Sequence, residues 1–192
     1  MLELSITFNK YVAMKACRVH ITGASGAGTT SLSRALAQSW SVPCHDTDDF
    51  YWQPVEPAFS QKRSEAERLE LMQRLFLPRK AWILSGSLMG WGDILKPHFD
   101  AVVFLQLDPA IRLKRLRDRE IKRFGRDALE KGGTRNAQHE AFMRWAAGYD
   151  DPAFAGRSLA NHEAWFDDLD CRILRLDSAL PVDQLVSRIL AA

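Results

Sequence analysis

Residues Gly23-Ala-Ser-Gly-Ala-Gly-Thr-Thr30 carry the most specific chemical pattern in the chain. Gly23, four residues, Gly28 and a hydroxyl at Thr30 match the phosphate-cradling signature G-x-x-x-x-G-K-[ST], with Thr29 standing where the lysine belongs. Such a loop wraps an anion with its amides turned inward, which needs backbone angles that glycine reaches cheaply and leaves no room for a Cβ. A helix opening near Thr29 adds free N–H groups and the positive end of its dipole. Ala24, Ser25, Gly26 and Ala27 complete the cradle, and Thr30 is suited to ligate Mg²⁺ bridging the phosphates of ATP. The pattern predicts nucleotide binding, without the lysine that would meet the terminal phosphates.

A second constellation is Asp46-Thr-Asp-Asp-Phe-Tyr-Trp52. Three carboxylates a few residues past the loop's helix would face bound phosphate. That is costly unless a cation lies between or a proton must be taken, so Mg²⁺ and a base are implied, with Asp46, Asp48 and Asp49 as the candidates. The same aspartates would also serve as turn and N-cap residues. Tyr51 and Trp52 are the aromatic candidates for stacking on a planar substrate, the alternative being core filling.

The third is the basic stretch Arg112-Leu-Lys-Arg-Leu-Arg-Asp-Arg-Glu-Ile-Lys-Arg123. Arg115 and Arg119 are four apart and share a helix face. Guanidinium offers a flat stacking surface and a fork for phosphate oxygens; the competing reading is a solvated face with Arg–Asp/Glu pairs. No aromatic-interleaved basic surface supports a nucleic-acid partner.

The elements that must position these groups alternate between strand and helix. A β-branched run, Val19 to Ile21, leads into the loop, and Leu32, Ala35, Leu36 and Trp40 recur at helical spacing after it. Val42–Asp46, Ala81–Ser85, Ala101–Leu107 and Cys171–Leu176 read as further strands. Helices are expected over about 64–77, from Pro109, over 136–148 and 158–168, and after Pro181. The 64–77 helix would bury Leu69, Met72, Leu75 and Phe76. This alternation implies an α/β three-layer fold with a five-stranded parallel sheet and a ligand site at the strands' C-terminal ends. Gly125 and Gly132-Gly133 bracket a polar stretch read as part of a small helical lid, about 120–145. One domain is expected over 14–192, with 1–13 as an N-terminal extension.

A length of 192 residues and a net charge of +2 fit a single α/β domain and argue for neither a nucleic-acid nor a membrane partner. No apolar run approaches a membrane span and no signal-like segment opens the chain. Three scattered cysteines, Cys17, Cys44 and Cys171, suit reduced thiols in the cytoplasm, in a monomer or dimer. His139-Glu140 and His162-Glu163 lack the second histidine of a zinc-binding helix.

On these motifs the chain resembles the adenylate-kinase-like P-loop small-molecule kinases, a group with nucleoside-monophosphate, shikimate, gluconate and nucleoside kinases. Asp46-x-Asp48 is similar to the paired aspartates of shikimate kinases, and Asp48-Asp-Phe-Tyr51 resembles a segment of uridine and nicotinamide riboside kinases; both imply that Asp48 serves the accepting hydroxyl. Lysine-less loops like this one occur in archaeal-type cytidylate kinases, so Thr29 does not exclude phosphoryl transfer. The resemblance implies that of Arg115 and Arg119 one lies against adenine and the other reaches the phosphates, both closing over ATP and offsetting charge on the moving phosphoryl group, and that Arg144 is the arginine returning from the lid. Ser85-Gly-Ser-Leu-Met-Gly-Trp-Gly-Asp93 is closer to the glycine-rich third-strand ends of shikimate- and gluconate-type enzymes than to those of monophosphate kinases. Gly86 and Ser87 would then hold a substrate hydroxyl and Asp93 would cap a helix. The implied function is ATP- and Mg²⁺-dependent phosphoryl transfer to a small-molecule acceptor; the competing one is a nucleotide sensor or ATPase with a degenerate loop.

Overall fold

Strand β1 (Arg18–Gly23) and strand β4 (Ala101–Gln106) form the centre of the sheet, because both are apolar runs that bury nearly every residue. In this computed structural model, which describes residues 13–192, β3 (Trp82–Ser85) and β2 (Cys44–Asp46) extend the sheet on one side and β5 (Arg172–Asp177) on the other. The order is β2-β3-β1-β4-β5 and every pairing is parallel, as the strand–helix alternation predicts. The N-terminal extension expected over 1–13 lies, apart from Ala13, outside the described residues.

Period-two alternation splits the strands between two cores. Val19, Ile21, Val103 and Leu105 pack with Leu32 and Leu36 of α1 (Thr29–Trp40) and with Leu185 and Ile189 of α8 (Val182–Leu190). The opposite face sets Val102, Phe104, Trp82 and Leu84 against Met72 of α3 (Glu65–Leu75), Phe76, and Phe166 of α7 (Leu159–Phe166). The remaining helices are α2 (Thr47–Tyr51), α4 (Pro109–Phe124), α5 (Arg126–Leu129) and α6 (Asn136–Ala147).

Three local expectations are corrected. The second strand starts at Cys44, not Val42. The Asp46 carboxylate accepts from the Asp48 amide at 3.1 Å and caps α2, the N-cap role open to these aspartates. Leu75 is 53 % exposed at the end of α3, where the sheet no longer covers that face. Asp93 opens a 3₁₀ turn, Asp93–His98, but Gly92 occupies the cap; the Asp93 carboxylate instead accepts from Trp165 Nε1 at 2.6 Å.

Candidate active site

Three segments converge where β1, β2 and β3 end: the loop Gly23–Thr30, helix α2 and Gly86-Ser87. Gly28 turns the chain into α1 at φ 93°, with no atom within 4 Å of where a Cβ would stand. No side chain caps α1, which leaves its first amides free for an anion. Across from the loop, Asp46 Oδ2 accepts from Thr30 Oγ1 at 2.9 Å and from Ser85 Oγ at 3.2 Å. A hydroxyl from the end of the loop and a carboxylate from the end of β2 are therefore held side by side.

Helix α2 is too short to stand alone. Its N-terminus is capped by Asp46, and at its other end Arg63 donates to the carbonyls of Asp49 (2.9 Å), Phe50 (3.1 Å) and Trp52. Both ends are thus held by side chains, which fixes Asp48 at the cavity wall. Thr47 Oγ1 accepts from the Ser87 amide at 3.1 Å. Gly86 is required at that contact: its φ is +117° and a Cβ would lie 1.9 Å from Thr47 Oγ1. Desolvation first, then the Asp46 charge, raises the Asp48 pKa, while Arg157 pulls it down. The Asp48 residue is open to the cleft, and its carboxyl still lies deep enough for desolvation to dominate.

A cavity of about 1010 Å³ joins these groups to the helices above them. Gly23 to Gly26, Thr29, Thr30, Asp46, Asp48, Trp52, Gly86 and Ser87 line it, together with Arg119, Arg123, Arg135 and Arg157. Its size lies at the upper end of the range for ligand pockets. Aromatic contacts tie its upper wall together: the Arg123 guanidinium lies 4.9 Å from the Phe59 ring centre and 5.2 Å from that of Phe124, and Arg135 lies 4.2 Å from Phe124.

The structure does not bring every expected residue to this cavity. Arg115 and Arg119 diverge despite their helical spacing. On α4 the stripe Arg112, Leu116, Arg119, Arg123 runs from the core to the cavity, because buried Arg112 and Leu116 set the rotation of the helix. Arg115 lies off that stripe and donates from Nη1 to the Ser178 carbonyl at 3.2 Å, beside the turn after β5. Arg144 is exposed on α6 and is not among the lining residues. Tyr51 packs against Trp52 and Trp91 under the Arg68 guanidinium, 3.9 Å away, and Asp49 is exposed; neither lines the cavity.

Two arginines that the motifs did not single out stand at the loop. Arg112 is fully buried, with Nη1 donating to the carbonyls of Ser25 (3.3 Å) and Ala146 (3.0 Å) and Nη2 to Asp150 at 2.5 Å. Arg157, from the segment between α6 and α7, donates from Nη2 to Ser25 Oγ at 2.5 Å and lies 5.2 Å from the Trp145 ring centre. Its Nε is buried without a hydrogen-bond partner among the described residues. Burial lowers its pKa, and the Asp48 carboxylate opposes that shift. No periodic signal marks Arg157, since it lies outside any helix or strand; Arg112 was visible only as one of many arginines in a basic run.

On the far flank of the loop a smaller cavity of about 540 Å³ is lined by Ala24, Phe104, Asp108, Asp150 and Asp177, among others. Its three carboxylates already serve the fold: Asp108 accepts from the Ala110 amide, Asp150 from Arg112 and Asp177 from the Ala179 amide. An acidic wall disfavours phosphate, so the arginine-lined cavity is the one suited to anions.

A phosphate loop after the first strand of a parallel β2-β3-β1-β4-β5 sheet is the fold of the adenylate-kinase-like P-loop small-molecule kinases. The chain superposes on a gluconokinase from Sinorhizobium meliloti (18% identity, 92% of this chain and 90% of that chain, TM-score 0.51). It also superposes on shikimate kinases from Bacteroides thetaiotaomicron (20% identity, 90% and 95%, TM-score 0.51) and Acinetobacter baumannii, the latter in complex with shikimate (16% identity, 91% of each, TM-score 0.51). No protein-family model matches the chain. The chain belongs to the family of the uncharacterised protein YqaC of Bacillus subtilis (strain 168), to which it is 42% identical over 172 residues, 90% of this chain and 94% of that protein.

Proposed function

We propose that the protein transfers the terminal phosphoryl group of Mg·ATP to a hydroxyl of a small molecule: a nucleotide, a nucleoside or a hydroxylated metabolite. The observation that carries this reading is the hydrogen-bonded set Thr30–Asp46–Ser85, with Asp48 held on the same wall of the arginine-lined cavity. An amide cradle, a metal-type oxygen pair and a carboxylate with a raised pKa are the parts that phosphoryl transfer uses, since most of that catalysis is positioning and charge stabilisation.

Thr30 Oγ1 and Asp46 Oδ2, 2.9 Å apart, are hard oxygen ligands of the kind Mg²⁺ takes together with water and phosphate. Among the described residues no group of three or more His, Cys, Asp or Glu forms an all-protein cage, and Mg²⁺ at a nucleotide needs none. When bound, the ion would supply charge neutralisation at the phosphate oxygens. Asp48 then accepts the proton of the attacking hydroxyl, Gly86 and Ser87 orient that hydroxyl, and Arg119 offsets charge on the moving phosphoryl group. Trp52 offers a flat wall to the acceptor, and residues 120–145 form the lid over it. Arg115 would hold the base of the nucleotide beside the Ser178 turn.

No helix among the described residues is long and apolar enough to cross a membrane, and the three cysteines are free; a cytoplasmic enzyme fits both. A second reading, a nucleotide sensor or ATPase, is favoured by Thr29 in place of lysine. Release of ADP against nucleosides, nucleoside monophosphates, sugar acids and shikimate-like acids separates the two. A kinase shows turnover that depends on one acceptor class. An ATPase turns over without any acceptor, and a sensor binds ATP without forming product; either result overturns the proposal.

A further inference from the structure

A phosphate loop without its lysine leaves the terminal phosphate charge unmatched from within the loop, so the matching cation must come from elsewhere in the fold. Four arginines line the main cavity, and they differ in what they touch. Arg123 and Arg135 are taken up by Phe59 and Phe124 in the upper wall. Arg119 is exposed on α4. Among these four, Arg157 is the one hydrogen-bonded to the loop itself, through Ser25 Oγ at 2.5 Å. Its guanidinium is steadied by the Trp145 ring, 5.2 Å away, and its Nε is buried with no hydrogen-bond partner among the described residues. Ser25 is only a neutral acceptor, so this half-buried guanidinium has no carboxylate among its hydrogen-bond partners and its charge is left for a ligand to match. Arg157 and Asp48 line the same cavity, close enough for each charge to favour the ionised form of the other.

We propose that Arg157 takes the place of the missing loop lysine, its guanidinium reaching over Ser25 to bind the terminal phosphate of the nucleotide. The inference rests on the nucleotide-binding reading above and adds a residue that no motif marks. Arginine suits the task from a distance: its planar fork offers several donors to phosphate oxygens and stays charged when buried, whereas a lysine is a flexible point charge whose pKa falls on burial. Thr29 is then the counterpart of Arg157, since a lysine at 29 would set a second cation into the same anion space. Arg157 also differs from Arg119 in this account. Arg157 binds the ground-state nucleotide, and Arg119 acts on the charge that develops during transfer.

The test measures the affinity of the full-length protein for Mg·AMP-PNP and Mg·ADP by calorimetry, in the wild type and in R157A, R157K, S25A and the double variant T29K/R157A, with thermal melts as a folding control. R157A should weaken AMP-PNP binding roughly 10- to 100-fold, the worth of charge-assisted hydrogen bonds to phosphate, and ADP binding less than about 3-fold. T29K/R157A should recover most of the lost affinity by returning the cation to the loop. R157K keeps the charge and the cavity volume, and should show an intermediate loss even if R157A folds poorly. Equal losses for AMP-PNP and ADP, copied by S25A, would make Arg157 a brace of the loop and overturn the inference. AMP-PNP binding that is unchanged in both Arg157 variants would overturn it as well. A wild type that binds neither nucleotide defeats the nucleotide reading itself, and the inference with it, and is told apart by failing before any variant is made.

Discussion

At Asp48, burial and the neighbouring Asp46 charge favour the protonated acid, while Arg157 favours the carboxylate, and the first two prevail. A raised pKa suits a group that must take a proton from a hydroxyl, because a base is most effective when its pKa approaches the working pH. Asp48→Asn keeps the shape and loses the proton acceptor. Turnover should fall about 10²- to 10⁴-fold with little change in ATP affinity, measured by steady-state kinetics and nucleotide titration. A variant that keeps near wild-type turnover would reduce Asp48 to a helix residue whose side chain faces the cleft without chemistry. In the wild type, the acid limb of kcat/KM should lie above the ordinary aspartate range, since activity needs the carboxylate and the shift is upward.

Among the elements, α4 decides which arginines serve the site. Its rotation is set by Leu116 and by Arg112, whose guanidinium joins the Ser25 and Ala146 carbonyls to Asp150. Arg119 and Arg123 then face the cavity, and Arg115 faces the Ser178 turn. Arg119→Ala should lower kcat on the order of 10³-fold if it stabilises transferring charge as an arginine finger does. Arg123→Ala should act mainly on KM, because Arg123 is clamped between the Phe59 and Phe124 rings and shapes the wall. A larger kcat effect at Arg123 would shift the catalytic position one turn along the helix. Where β3 meets α2, Gly86→Ala forces a Cβ against Thr47 Oγ1 at a positive φ. It should cost about 2–4 kcal/mol in urea unfolding and displace Ser87 and Asp48 together. A cost within about 0.5 kcal/mol would show that the contact yields.

At the scale of the molecule, two buried histidines couple the fold to pH. His20 in β1 stacks on Phe99 and bonds the Leu84 carbonyl at 3.0 Å; His162 in α7 lies between Thr22 Oγ1 (3.2 Å) and the Tyr149 hydroxyl (2.8 Å), beneath the phosphate loop. Desolvation lowers their pKa values from 6.5 to about 4 and about 3, with the Arg157 charge adding to the shift at His162. The unfolded chain therefore binds protons below pH 6.5 that the native state refuses. Their contribution is present above pH 6.5 and is lost as the pH falls toward the native values. Urea unfolding should show a drop of roughly 4 kcal/mol between pH 7 and pH 5, with a slope that approaches about 1.4 kcal/mol per pH unit for each histidine below pH 6.5. Stability that is flat across this window would mean that both rings carry charge in the native state.

Local rules were enough for the fold and for the loop. The run Val19–Ile21, Gly23, Gly28 and Thr30 follow one another in sequence, so backbone geometry and strand–helix alternation fix their arrangement before any distant contact forms. Asp46 was legible for the same reason, as a carboxylate closing a short strand. Helical spacing placed Arg115 and Arg119 on one face but left open which residue of α4 points into the core; burial of Arg112 and Leu116 decided that. Tyr51 is held away from the cavity by Trp52, Trp91 and Arg68, a packing that no local spacing encodes, and Arg144 is exposed outside the cavity lining. Arg157 is the clearest case of what tertiary structure alone decided. It lies 132 positions from Ser25 and reaches it because the segment between α6 and α7 crosses the ends of the central strands. A residue outside any repeating element carries no periodicity, so only the folded chain brings its charge to the loop.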